Sequence, residues 1–89
     1  MRAGSLDAVA VIAGGKAEIL EFITVLSEPT KVKKLGLPKG VVLGAIVHGE
    51  EVTIPTGDTV VRDGDRLIVF AKSEAIPEVE KLLRNRGVS

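Results

Sequence analysis

Apolar positions fall into short runs separated by turn residues, and most of the runs have strand length. Residues 6–13 (Leu-Asp-Ala-Val-Ala-Val-Ile-Ala) and 17–26 (Ala-Glu-Ile-Leu-Glu-Phe-Ile-Thr-Val-Leu) flank Gly14-Gly15-Lys16. Two β-prone runs around a Gly-Gly pair predict a hairpin, because a tight turn needs the positive φ that glycine reaches without a Cβ clash. Glu18 and Glu21 are also three apart, as on a helix, but the Ile, Phe, Thr and Val content of the second run favours a strand. After Glu28-Pro29, Thr30 is placed to cap a short helix through Val32, Lys33, Lys34 and Leu35, with Gly36 at its end and Pro38 blocking continuation.

Residues 41–48 (Val-Val-Leu-Gly-Ala-Ile-Val-His) are almost continuously apolar between Gly40 and Gly49, the pattern of a strand covered on both faces. Gly49-Glu50 returns the chain into Glu51–Ile54, where apolar and polar residues alternate. Pro55-Thr56-Gly57-Asp58 and Arg62-Asp63-Gly64-Asp65 are turns on either side of a short Thr59–Val61 segment. Arg66–Ala71, with Leu-Ile-Val-Phe inside it, reads as a last buried strand. The period then changes. Ser73 is a candidate N-cap for a helix with Ile76, Val79, Leu82 and Leu83 on one face, Lys81 and Arg84 near its C-terminus, and Gly87 ending it. The expected fold class is α+β, a mostly antiparallel sheet with two helices, over residues 8–86. Residues 1–7 read as an N-terminal extension or an expression-vector remnant.

Composition sharpens this picture. The 89 residues include 13 Val and 7 Ile but only two Phe and no Tyr or Trp, so the core is aliphatic and leans toward sheet. A domain this small buries about 60% of its unfolded surface, and with no cysteine to form a disulfide it is expected to lean on a partner or a second copy. Twelve basic and twelve acidic side chains give a formal charge of zero, with no basic run. That balance argues against nucleic acid, whose backbone is bound by clustered positive charge; the dearth of aromatic faces argues against stacking on single strands. No apolar stretch approaches the roughly 20 residues that span a bilayer, and no signal-peptide pattern opens the chain. The expected location is cytoplasmic.

Candidate chemistry is sparse. His48, the one histidine, sits at a strand end near Glu50 and Glu51, without a nucleophile in a strained turn, and reads as an exposed strand-end residue. Asp58, Asp63 and Asp65 lack the ligand spacing of a calcium loop and suit turn hydrogen bonding. No phosphate-binding glycine motif is present. Lys31, Lys33 and Lys34 form a local positive patch, read as a solvated face. The chain is not expected to be an enzyme, nor to bind a metal or a cofactor.

The order of segments carries a resemblance. Residues 17–22 (Ala-Glu-Ile-Leu-Glu-Phe), 34–41 (Lys-Leu-Gly-Leu-Pro-Lys-Gly-Val) and 44–55 (Gly-Ala-Ile-Val-His-Gly-Glu-Glu-Val-Thr-Ile-Pro) are followed in register by 57–61 and 64–70. With the closing helix through Pro77, Val79, Glu80 and Leu82, this order resembles the TrkA C-terminal domain, the C-lobe of the regulator-of-K⁺-conductance module. The match runs from about residue 8 to residue 84. It implies a cytosolic regulatory lobe of a potassium transport gating subunit, peripheral to the membrane through a transporter partner, and dimeric. In that family the lobe follows a nucleotide-binding Rossmann-type lobe and in some members binds a small ligand between protomers. Nucleotide binding is expected only in that other lobe. The chain is then a C-terminal piece of a longer subunit or a stand-alone regulatory domain. A regulatory lobe of another cation or anion transporter and a ligand-free dimerisation domain are the alternatives. The resemblance places the ligand surface at Pro38, Lys39, Val42, Ile54 and Pro55. Members resembling cyclic di-AMP receptors carry an Arg and an Asn around the turn into the central strand and a Pro after the next one, and of these Pro55 alone is matched. Val42 offers a base or ribose hydroxyl no hydrogen bond. The candidate dimer faces are the outer aliphatics of the 41–47 strand and the 30–35 helix.

Overall fold

The computed structural model describes residues 7–83. The two leading apolar runs form the predicted hairpin: β1 (Asp7–Ile12) and β2 (Ala17–Ile23) pair antiparallel, with Ile12 opposite Ala17. Ala13, Gly14 and Gly15 between them all have positive φ, which the two glycines adopt without strain. The long apolar run is β4 (Val41–His48), which turns at Gly49-Glu50 into β5 (Glu51–Thr53). The last strand, β7 (Arg66–Lys72), inserts between β2 and β4, pairing antiparallel with both. The main sheet therefore has the order β1-β2-β7-β4-β5, and strands far apart in sequence become neighbours at its centre.

All the buried side chains of this sheet lie on one face. Leu20 and Phe22 of β2, Leu67, Val69 and Ala71 of β7, and Val41, Leu43 and Ile46 of β4 are between 1% and 9% exposed. Leu35, Val61, Ala75 and Val79 join them from the other layer, with Leu26, Val32, Leu37 and Ile76 packed at the margin. That layer contains a second, two-stranded sheet of β3 (Thr30–Lys31) and β6 (Val60–Val61), and the helix α1 (Ile76–Leu83). β4 is thus covered on one face only, against the expectation from its apolar run: Val42, on the other face, is 64% exposed.

The predicted helix over 30–35 is not formed. Thr30 and Lys31 pair with Val61 and Val60 instead, and Val32–Lys34 make a single 3-10 turn. The backbone N–H groups of Val32 and Lys33 are drawn off to the carbonyls of Thr59 and Gly57, leaving Leu35 N–H to Val32 as the turn's closing bond. A stretch this short, with β-branched Thr30 and Val32, has too few residues to repay helix nucleation, and cross-strand bonding wins. Ser73 also takes another role than N-cap. It opens a 3-10 turn (Ser73–Ala75) before α1, and its N–H and hydroxyl donate to the carbonyls of Lys16 and Gly15, pinning the β1–β2 turn. Arg84, Gly87 and the end of the 8–86 domain lie outside the described residues, as do residues 1–6.

Candidate functional site

The face of the main sheet opposite the core is apolar and open. The strand registers align Ala10, Ile19, Phe70 and Val42 in one row across four strands, since Ala10 faces Ile19, Ile19 faces Phe70, and Phe70 faces Val42. A second row aligns Glu21, Ile68 and Ala45, and a third aligns Ile23, Arg66, Val47 and Val52. Phe70 and Ile23 are 47% and 42% exposed, and Val52 is 62% exposed. A β-bulge at Gly44 shifts the β4–β7 register, and the Phe70 ring lies over that glycine: a Cβ there would stand 2.8 Å from Phe70 Cε1. Within the patch the Arg66 guanidinium and the Glu21 carboxylate lie 3.7 Å apart, each partly exposed, and exposed Lys72, opposite Ala17, shares the face by register, as does Asp7, opposite Glu21.

Of the five residues assigned to the ligand surface, Val42 is on this face, and the other four lie in the segments just before β4 and just after β5. Lys39 is exposed in the turn before β4, beside half-buried Pro38, whose carbonyl accepts the N–H of Val41. Val42 is on the open face itself. Ile54, 76% exposed, and half-buried Pro55 follow β5. Continuing the β4–β5 register puts Ile54 beside Ala45, about 10 Å along β4 from Val42 at ~3.4 Å per residue. Val42 and Ile54 thus sit along one side of the sheet, with the Lys39 turn at its end. Phe70, Glu21 and Arg66 were missing from the sequence-derived set. The signal for Phe70 was the parity of Leu67, Val69 and Ala71, which a continuous apolar run conceals.

A polar clamp closes the opposite end of the sheet. His48 and Asp65 continue the β4–β7 pairing by one step, and His48 Nδ1 lies 2.6 Å from Asp65 Oδ1. Asp65 is 2% exposed whereas the His48 side chain is 68% exposed, so the rest of the imidazole is left in solvent. Asp65 Oδ2 accepts the N–H of Arg62 at 2.9 Å, and Thr24, itself buried, donates its hydroxyl to the carbonyls of Arg62 and Asp65. Asp63 accepts the N–H of Leu26, and Asp58 lies 2.9 Å from the Lys33 ammonium. Asp63 and Asp65 therefore serve one turn through different bonds, while Asp58 lies in another. Among the described residues no three metal-ligating side chains converge, and none of the helices is long and apolar enough to cross a membrane.

Comparison with known proteins follows the same lines. The family model of the TrkA-C domain matches residues 29–84. A Trk system potassium uptake protein TrkA homolog of Methanosarcina mazei (homolog 2) is 39% identical over 84 residues, 89% of this chain and 18% of its own length. The Haemophilus influenzae protein TrkA is 29% identical over 91 residues, 94% of this chain and 20% of its own length. The chain thus spans about one-fifth of these relatives. A solved structure described as an RCK domain with cda superposes with a TM-score of 0.63 at 27% identity, covering 73% of this chain and 96% of that one. The antiparallel sheet with its single covered face, the order of its segments and these matches agree, and the chain belongs to the TrkA-C domain family.

Proposed function

We propose that this domain is a cytoplasmic regulatory lobe of a potassium uptake subunit, acting by association and ligand binding and carrying out no chemistry of its own. The observation that carries the reading is an apolar sheet face left open in a domain whose relatives, at 29% and 39% identity, are Trk system potassium uptake proteins. About four-fifths of each relative lies outside the aligned region, and the partners assigned to the lobe are a nucleotide-binding Rossmann-type lobe, the transporter's membrane subunit and a second copy of itself. Two copies with alternative arrangements respond to a ligand only through its differential affinity for them. Lys39 supplies a cation for an anionic ligand, and Val42, Ile54 and Pro55 supply apolar surface.

Thermal unfolding with cyclic di-AMP, ATP, ADP, NADH, K⁺ and Ca²⁺ tests the sensing part. A saturable rise with one of them, about 2.7 kcal/mol of stabilisation at a hundred times its dissociation constant, lost in Lys39→Ala, is the expected result. The second reading, a lobe that associates without a ligand, is favoured by Val42, whose side chain cannot hydrogen-bond a base. No shift from any compound selects it.

A further inference from the structure

We infer that the end of the main sheet carrying Lys16, Lys39 and Lys72 binds phosphoryl groups, as a site that reads charge and not the rest of the molecule bearing it. Lys39 belongs also to the ligand surface of the regulatory reading, on which the inference rests for that residue alone. The three lysines are far apart in sequence and are gathered by backbone pairing. Lys72, the last residue of β7, donates its N–H to the carbonyl of Gly40, the neighbour of Lys39, and Ser73 donates its N–H to the carbonyl of Lys16, each at 3.0 Å. A Cβ at Gly40 would stand 3.7 Å from both Cβ and Cδ of Lys72, so the Lys72 stem runs against the turn that carries Lys39. All three lysines are exposed, and none of them has an ion-pair partner among the described residues. Elsewhere cations are matched: Lys31 and Lys33 share Asp58, and Arg66 has Glu21. The acids of the flanking segments, Glu18 on β2, Glu74 in the 3-10 turn and Glu78 on α1, form no ion pair with the three. Like charges on adjoining segments repel one another, and a multivalent anion relieves that repulsion. Ammonium groups are point-charge donors suited to phosphoryl oxygens. The Ser73 hydroxyl beside them already donates to the Gly15 carbonyl, which leaves the ammonium groups as the donors for a ligand.

The phosphoryl groups can come from a soluble polyphosphate or from lipid headgroups, and two arms separate these sources. In one, the chain is titrated with tripolyphosphate at fixed ionic strength and its thermal midpoint is read. In the other, it is sedimented with vesicles of phosphatidylglycerol or of phosphatidylcholine. The test variant is Lys16→Gln with Lys72→Gln, which keeps Lys39. The control is Arg62→Gln with Lys81→Gln, which removes the same charge from the turn before β7 and the last turn of α1. Circular dichroism confirms that both are folded. The expected result is a saturable rise with tripolyphosphate, or co-sedimentation with phosphatidylglycerol alone, weakened roughly tenfold in the test variant and unchanged in the control. A response to tripolyphosphate assigns a soluble ligand, and a response to vesicles only assigns a headgroup. No response in either arm, a response that the test variant keeps, or a control weakened as much as the test variant overturns the inference. Because Lys39 is kept, such a failure leaves the ligand panel and Lys39→Ala to judge the regulatory reading separately.

Discussion

Asp65 shows how one buried polar side chain can hold three segments together. Its two oxygens accept from His48 on β4 and from the Arg62 backbone, while Thr24 at the end of β2 holds the carbonyls of the same turn. Removing it leaves the part-buried Arg62 N–H without its partner and the imidazole unheld, and an unsatisfied donor costs about 1–3 kcal/mol when fully buried. Asp65→Ala should therefore lower unfolding stability by about 2 kcal/mol, whereas His48→Ala, on a side chain 68% exposed, should lower it by less. Chemical denaturation of the two variants measures both; equal losses would mean that the imidazole and not the backbone turn is what the carboxylate supports. The exposed Lys33–Asp58 pair, in contrast, is of the kind that contributes little.

At the scale of elements, runs bounded by strong turn chemistry were legible. The β1–β2 hairpin, the 41–48 strand and the change to helical period near residue 76 all follow from spacing. The 30–35 segment was not legible, because what decides it is Val60-Val61, thirty residues on, which offers a strand partner invisible to local periodicity. The faces of β4 and β7 were hidden for another reason. Both strands are apolar on both sides, so alternation cannot mark which side is core, and Val42 was expected to be as buried as Ile46. In the fold Ile46 is 4% exposed and Val42 64%. An aspartate at Ile46 buries an unpaired charge and should destabilise by several kcal/mol. One at Val42 should change the stability of the single domain by less than about 1 kcal/mol. Denaturant midpoints compared at low protein concentration distinguish the two, and similar large losses would put Val42 in the core after all.

At the scale of the whole molecule the aliphatic surface is divided: one face of the main sheet builds the core, and the other is left open, the face that the proposed regulatory reading assigns to association. Of the ligand-surface residues named from resemblance, Val42 is on that second face and the other four lie in the segments before β4 and after β5, while Phe70, Glu21 and Arg66 emerged only from strand register. The division is testable because a substitution on the open face should spare the fold and break the pairing. The most direct measurement is sedimentation velocity of the parent and of Val42→Asp across the micromolar range, with thermal unfolding of both by circular dichroism. The parent is expected to sediment as a dimer and Val42→Asp as a folded monomer. A dimer that survives the aspartate unchanged, or a parent that never dimerises, would contradict the assignment of this face to self-association.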